Sequence, residues 1–104
     1  MIARLATYRA SGDPMALARK AEEGILPLFR EQHGFRSYSV AIDGNEVLSL
    51  SVWDSRADAE AGSELEADFV RNNMAGQLEM IETRYGDVAF STTLGVSTMA
   101  SATA

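Results

Sequence analysis

The sequence predicts an α+β domain in which a strand, a helix, two strands, a helix and a last strand follow one another. Three features predict it. Asp13-Pro14 introduces apolar residues at three- and four-residue steps, the period of a helix with one buried face. Asp43-Gly44-Asn45 separates two stretches of strand-like side chains, the pattern of an antiparallel hairpin. Ser55 then precedes an Ala-rich segment of helical spacing.

The first strand is expected from Met1 to Arg9. Ser11-Gly12 supplies a turn and Asp13 an N-cap, while Pro14 takes the first helical position, where its missing N–H is not needed. Leu17, Ala18, Ala21, Ile25, Leu28 and Phe29 form the apolar side of the first helix. Pro27 inside it predicts a kink or a division into two short helices, and Gly34 a left-handed stop. Phe35 to Ile42 and Glu46 to Trp53 read as strands; in the second, Leu48, Leu50 and Val52 share one face, and Val47, Ser49, Ser51 and Trp53 the other. One face is oily, the other small, polar and aromatic. In the second helix Ala57, Ala61, Leu65, Ala67, Phe69, Val70, Met74 and Leu78 carry the apolar side, with Ser55 as cap and Asp58 in the reciprocal capping position. Gly62-Ser63 and Ala75-Gly76 are expected to break it into segments. Glu79 to Phe90 returns to strand chemistry. The Ser/Thr/Ala-rich tail, residues 91–104, holds few apolar groups, so contact with a partner subunit is expected to order it.

A chain of 104 residues with 46% hydrophobic and 23% charged residues is expected to form one globular domain. With no Cys there are no disulfides, thiolate metal sites or Cys nucleophile. The net charge of −6 repels phosphate backbones and anionic lipid, so neither nucleic acid nor membrane is an expected partner. No apolar run approaches the about 18 residues of a membrane helix, and the opening MIARLATYRASG lacks a leader's apolar core, so a cytoplasmic protein is expected. No His/Cys cluster, His-Glu-x-x-His or Gly-x-Gly-x-x-Gly pattern occurs, so no metal and no nucleotide cofactor is expected.

The element order is that of the split βαβ, or ferredoxin-like, arrangement. Leu26-Pro27-Leu28 late in the first helix, Gly34-Phe35 opening the second strand and Val52-Trp53-Asp54-Ser55 closing the third resemble the antibiotic biosynthesis monooxygenase family, a branch of the dimeric α+β barrel superfamily. The resemblance covers roughly residues 1–90. It implies a ferredoxin-like domain with a four-stranded antiparallel sheet over 1–90, a homodimer whose sheets face each other, and a pocket in each subunit between the sheet and the second helix. The tail, 91–104, would then pack on the partner subunit. Elementary energetics agree: a sheet with helices on one face leaves the other uncovered, and each Å² of apolar surface withdrawn from water contributes about 25 cal/mol.

The resemblance further implies oxidation of a small aromatic or polycyclic phenol or quinol by molecular oxygen, with no metal or organic cofactor. The alternative is a non-catalytic small-molecule-binding or accessory homodimer on the same scaffold. Relatives use an Asn on the first strand, a Trp near the end of the third and a His on the second helix. Trp53 matches the Trp, but the first strand has no Asn and the sole histidine, His33, ends the first helix. Haem degradation, which needs an axial ligand on the second helix, is therefore not expected.

No residue is assigned as catalytic. Trp53 is a substrate-binding candidate because an indole stacks on an aromatic ring, and equally a core residue joining the third strand to the second helix. Tyr38, Arg84 and Tyr85, with Arg4 and Tyr8, could converge on one sheet face and hold a phenolate by charge and hydroxyl, or serve as cross-strand pairs. Asn72 is placed at a pocket mouth or as a helix-end cap. His33 is expected to meet the carbonyl end of the first helix.

Overall fold

Residues 1–99 are described by the computed structural model. The elements are β1 (Ile2–Ala10), α1 (Pro14–Arg30), β2 (Phe35–Asp43), β3 (Glu46–Trp53), α2 (Arg56–Asn73) and β4 (Leu78–Asp87). The strands form one antiparallel sheet in the order β2-β3-β1-β4. This is the ferredoxin-like α+β fold expected from the element order. No helix among the described residues is long and apolar enough to cross a membrane.

Local chemistry sets the element boundaries. The Asp13 carboxylate accepts from the Met15 N–H at 3.0 Å and Pro14 opens α1; Ser55 Oγ accepts from the Asp58 N–H at 3.2 Å and starts α2. Gly44, at φ +61°, turns the β2–β3 hairpin, a conformation that suits a residue without Cβ.

Two helix expectations are corrected. α1 runs unbroken through Pro27. Pro27 and Glu23 are both exposed, so the carbonyl that loses its partner is on the watered side of the helix. α2 likewise runs through Gly62-Ser63 to Asn73, ending just before Ala75-Gly76. Gly62 is a packing residue: a Cβ there would collide with the Trp53 ring. Leu78, assigned above to the helix, opens β4, which ends at Asp87 and not at Phe90.

The two faces of the sheet differ in kind. Both helices cover the face carrying Arg4, Ala6, Tyr8 and Ala10 of β1 and Val47, Ser49, Ser51 and Trp53 of β3. Leu17, Ala21, Ile25 and Phe29 of α1 and Ala59 of α2 pack on it. The opposite face exposes Leu5 (51%), Leu48 (39%) and Leu50 (39%). The segment after β4 turns back at a Ser91–Val96 bridge, and Val88, Phe90, Ser91 and Leu94 border a cleft with Ala3, Ser37, Leu50 and Val52 of this open face. Positions 100–104 of the tail expected to contact a partner lie outside the described residues.

Candidate functional site

Strand register places three rows of side chains across the helix-covered face. One is Tyr38, Ser51, Arg4 and Tyr85; the next Val40, Ser49, Ala6 and Thr83; the third Ile42, Val47, Tyr8 and Met80. The middle row is small at its centre, Ser49 and Ala6, and a side chain from α2 reaches down there. That side chain is Glu66, 2% exposed.

Three donors from two strands meet its carboxylate. Oε2 receives Arg4 Nη1 in a buried ion pair and the Tyr8 hydroxyl at 2.5 Å. Oε1 receives Ser49 Oγ at 3.2 Å. Arg4 is 1% exposed, and its Nε and Nη2 have no hydrogen-bond partner. Burial opposes the Arg4 charge, but the charge and hydrogen bond of Glu66 outweigh it and hold Arg4 above its ordinary value. Burial first, and the Glu66 charge second, push the phenols of Tyr8 and Tyr38 up, so both stand as neutral hydroxyls at neutral pH. Oε1 thus carries one hydrogen bond and Oε2 two.

This carboxylate borders a small chamber between the two helices and the sheet. The chamber holds about 20 Å³ and is otherwise walled mainly by apolar groups, among them Leu17, Ile25, Val47 and Met74. A groove of about 380 Å³ runs between α1 and the edge strand β2, and shares Ala18, Tyr38 and Val40 with the chamber. A second, of about 410 Å³, runs between α2 and β4 and shares Tyr8, Val70 and Leu78 with it. Glu66 is thus flanked by a groove on either side, one wall tyrosine belonging to each.

The residues singled out in the sequence fall in different places. Tyr38 lines the chamber and the α1–β2 groove. Trp53 is fully buried: its Nε1 donates to Ser51 Oγ at 2.9 Å and its ring meets Phe29 and Phe35 edge-on at 5.0 and 5.4 Å between centroids. It lines neither groove nor chamber. Tyr85 is on the helix-covered face beside Arg4, with the Arg56 guanidinium 4.4 Å above its ring. Arg84 points to the opposite face, paired in register with Leu5 and largely exposed. Asn72 is exposed near the end of α2. So Arg4, Tyr8 and Tyr38 come together, Tyr85 sits next to Arg4, and Arg84 and Asn72 stand apart.

His33 differs from expectation. Its Nδ1 lies 3.0 Å from Asp58 Oδ1 in the first turn of α2, not at the carbonyl end of α1. The hydrogen bond to Asp58, then its charge, raise the imidazole above its ordinary value, and the same bond lowers Asp58.

Sequence reasoning missed Glu66. Its signal was positional: Ala59, Gly62 and Glu66 follow each other at helical steps into Phe69 and Val70, so the acid continues a stripe of small residues. Reading only apolar residues hid that stripe. Among the described residues no group of three or more His, Cys, Asp or Glu is placed to hold a metal.

No protein-family model matches the chain and no curated protein matches it significantly. Solved structures do match. SnoaB, a cofactor-independent oxygenase from Streptomyces nogalater, superposes with a TM-score of 0.67 at 13% identity, over 88% of this chain and 95% of that one. An antibiotic biosynthesis monooxygenase gives 0.66 at 12% identity, over 86% and 100%. The fold is that of the antibiotic biosynthesis monooxygenases. Rv0793 from Mycobacterium tuberculosis gives 0.65 at 18% identity, over 88% and 97%. MupZ from Pseudomonas fluorescens gives 0.68 at 6% identity over 81% of this chain, which spans 65% of that protein.

Proposed function

We propose that this chain is a member of the antibiotic biosynthesis monooxygenase family, a cytoplasmic homodimer that oxidises a small aromatic or polycyclic phenol or quinol with molecular oxygen and without a cofactor. The observation that carries the reading is the buried Glu66 carboxylate, held by Arg4, Tyr8 and Ser49 at the edge of an otherwise apolar chamber. Buried charge is expensive and a buried ion pair is weak evidence of stabilisation, and the raised phenols of Tyr8 and Tyr38 line the same chamber, where perturbed titratable groups mark sites of chemistry.

In this reading the substrate enters hydroxyl first along the α1–β2 groove and lies against Tyr38. Glu66 Oε1 accepts its hydroxyl proton. The electron-rich anion passes one electron to dioxygen, the two radicals combine to a peroxide anion, this takes the proton back from Glu66 to become a hydroperoxide, and loss of water yields the quinone. All electrons come from the substrate. Arg4 keeps the carboxylate in place, and Trp53, packed behind Phe29, whose ring meets that of Tyr38 at a tilt with 4.9 Å between centroids, stiffens that wall. Domain 1–90 performs the chemistry. The exposed Leu5, Leu48 and Leu50 of the open sheet face, with Arg84 among them, meet the partner subunit, and the tail completes that contact.

A second reading is favoured by one observation. At about 20 Å³ the chamber has room for about one water, so a ring enters only if α1 moves away from β2. A protein whose chamber stays closed is a binding or accessory homodimer. Oxygen uptake across a panel of phenols, hydroquinones and polycyclic quinols, with native mass spectrometry for dimer and bound ligand, separates the two. Saturable uptake that is lost in Glu66→Gln with the dimer intact supports the oxygenase; a dimer that binds an aromatic compound and consumes no oxygen overturns it.

A further inference from the structure

We propose that the groove between α2 and β4, together with the chamber it adjoins, is a dioxygen site that supplies the gas to the substrate anion. That role rests on the oxygenase reading, in which two reactants meet at Glu66 and the phenol already occupies one way in. A ring lying against Tyr38 with its hydroxyl at Glu66 stops the α1–β2 groove where that groove meets the chamber, because Ala18, Tyr38 and Val40 are the walls there. Dioxygen then has to arrive from another side.

The two grooves differ in chemistry as the two reactants do. The α1–β2 groove carries the charged Arg19 and Glu22 beside the phenol of Tyr38. The α2–β4 groove, of similar size, is walled by Ala67, Val70, Ala75, Leu78 and Met80. Its two polar side chains are engaged elsewhere: the Tyr8 hydroxyl on Glu66, and the Arg71 guanidinium, at the exposed rim, on Asp68 at 2.7 Å. The sheet is adapted here, since the β1–β4 register shifts between Thr7 and Tyr8, which pair with Glu82 and Met80. This bulge puts Met80 beside Tyr8 on the groove wall. The partner subunit, placed on the opposite face of the sheet, leaves the groove open.

Val70 and Leu78 continue from the groove into the chamber, beside Met74 and Ile25. An apolar gas is drawn out of water into such a lining, whereas a polar group that enters it loses its hydrogen bonds. At about 20 Å³ the chamber admits a diatomic molecule, about as wide as a water, and no ring. Its walls present almost no polar surface, and a water stays in a cavity only with about two to four polar partners. Dioxygen held there lies against Glu66, where the substrate anion forms.

The test is methyl NMR of the intact protein under dioxygen pressure, with nitrogen as the blank, because the paramagnetic gas speeds the relaxation of nuclei it visits. The methyl groups of Val70, Met74 and Leu78 are expected to gain more than that of Met15 at the mouth of the α1–β2 groove, although Met74 is fully buried and Met15 exposed. Ala67→Trp, which fills the groove from α2, is expected to lower kcat/KM for dioxygen at least about fivefold and leave KM for the phenol unchanged. Ala75→Trp, at an exposed position of the same wall, should act in the same direction, and Met15→Trp should raise KM for the phenol alone. A gain no larger at Val70 and Leu78 than at Met15, or groove variants that impair both reactants alike, overturns the dioxygen site and leaves the oxygenase reading standing. A gain at Val70 and Leu78 in a protein that consumes oxygen with no phenol or quinol marks an apolar cavity only, and overturns the oxygenase reading and the supply of gas with it.

Discussion

Glu66→Leu removes the acceptor of Arg4 Nη1, Tyr8 Oη and Ser49 Oγ in one step. It strands a guanidinium that is 1% exposed and whose Nε and Nη2 have no partner to begin with. Removing one member of a buried ion pair costs about 3–5 kcal/mol, a large part of the about 5–15 kcal/mol that holds a domain folded. Arg4→Met alone strands the carboxylate and is expected to cost about as much. Replacing both removes the stranded charge, and such double replacements are commonly neutral or stabilising by about 1–4 kcal/mol. Two single losses of at least about 3 kcal/mol each are therefore expected to collapse to about 1 kcal/mol or less in the double variant. Urea unfolding followed by the fluorescence of Trp53, the only tryptophan, reads this at one fixed protein concentration, since subunit association would couple to folding. Glu66→Gln, with a milder loss, keeps the series measurable if Glu66→Leu does not fold. Additive losses in the double variant would refute the reasoning, because they would mean that the two charges do not depend on each other. A double variant as stable as the parent, yet without oxygen uptake, would show that the pair serves chemistry at no benefit to the fold.

Three further outcomes are expected. Gly62→Ala should cost about 1–3 kcal/mol, because the new Cβ meets a Trp53 ring boxed in by Phe29 and Phe35; Gly24→Ala, whose Cβ meets the half-buried tip of Phe69, should cost less, and urea midpoints compare the two. The His33–Asp58 bond should stabilise the fold in a defined pH window. His33, raised above 6.5, contributes fully below 6.5 and loses its contribution as pH rises through its folded value, while Asp58, lowered below 3.8, contributes above 3.8 and loses it as pH falls through its own. The Tm difference between the parent and His33→Gln should thus be largest between these limits and shrink as pH rises through the folded value of His33; a difference that does not fall on the alkaline side contradicts the assignment. Leu50→Asp on the open sheet face should give monomers by native mass spectrometry with unchanged far-ultraviolet circular dichroism, and an intact dimer would place the interface elsewhere.

Much of the fold was legible in the sequence because its signals are local. Asp13-Pro14, Asp43-Gly44-Asn45 and Ser55 act within a few residues on their own backbone, so they mark α1, the hairpin and α2 without any knowledge of packing. The split of β3 into an oily and a polar-aromatic row was equally visible, since alternation is a property of the strand itself. Glycine and proline were less legible. Pro27 and Gly62 read as breaks by propensity, yet solvent on one side and the Trp53 ring on the other decide what they do.

The tertiary structure alone decided which row faces the helices. Both are compatible with a covered face; the helices take the polar-aromatic one because Trp53 fits over Gly62 and Glu66 fits the gap above Ser49 and Ala6, leaving the leucines outward. It also decided that Arg4 and Tyr8 belong with Glu66, 62 and 58 positions away along the chain, and that Arg84 does not. Strand register and one bulge set those relations, and register arises from pairing between distant segments, which no single stretch of sequence encodes.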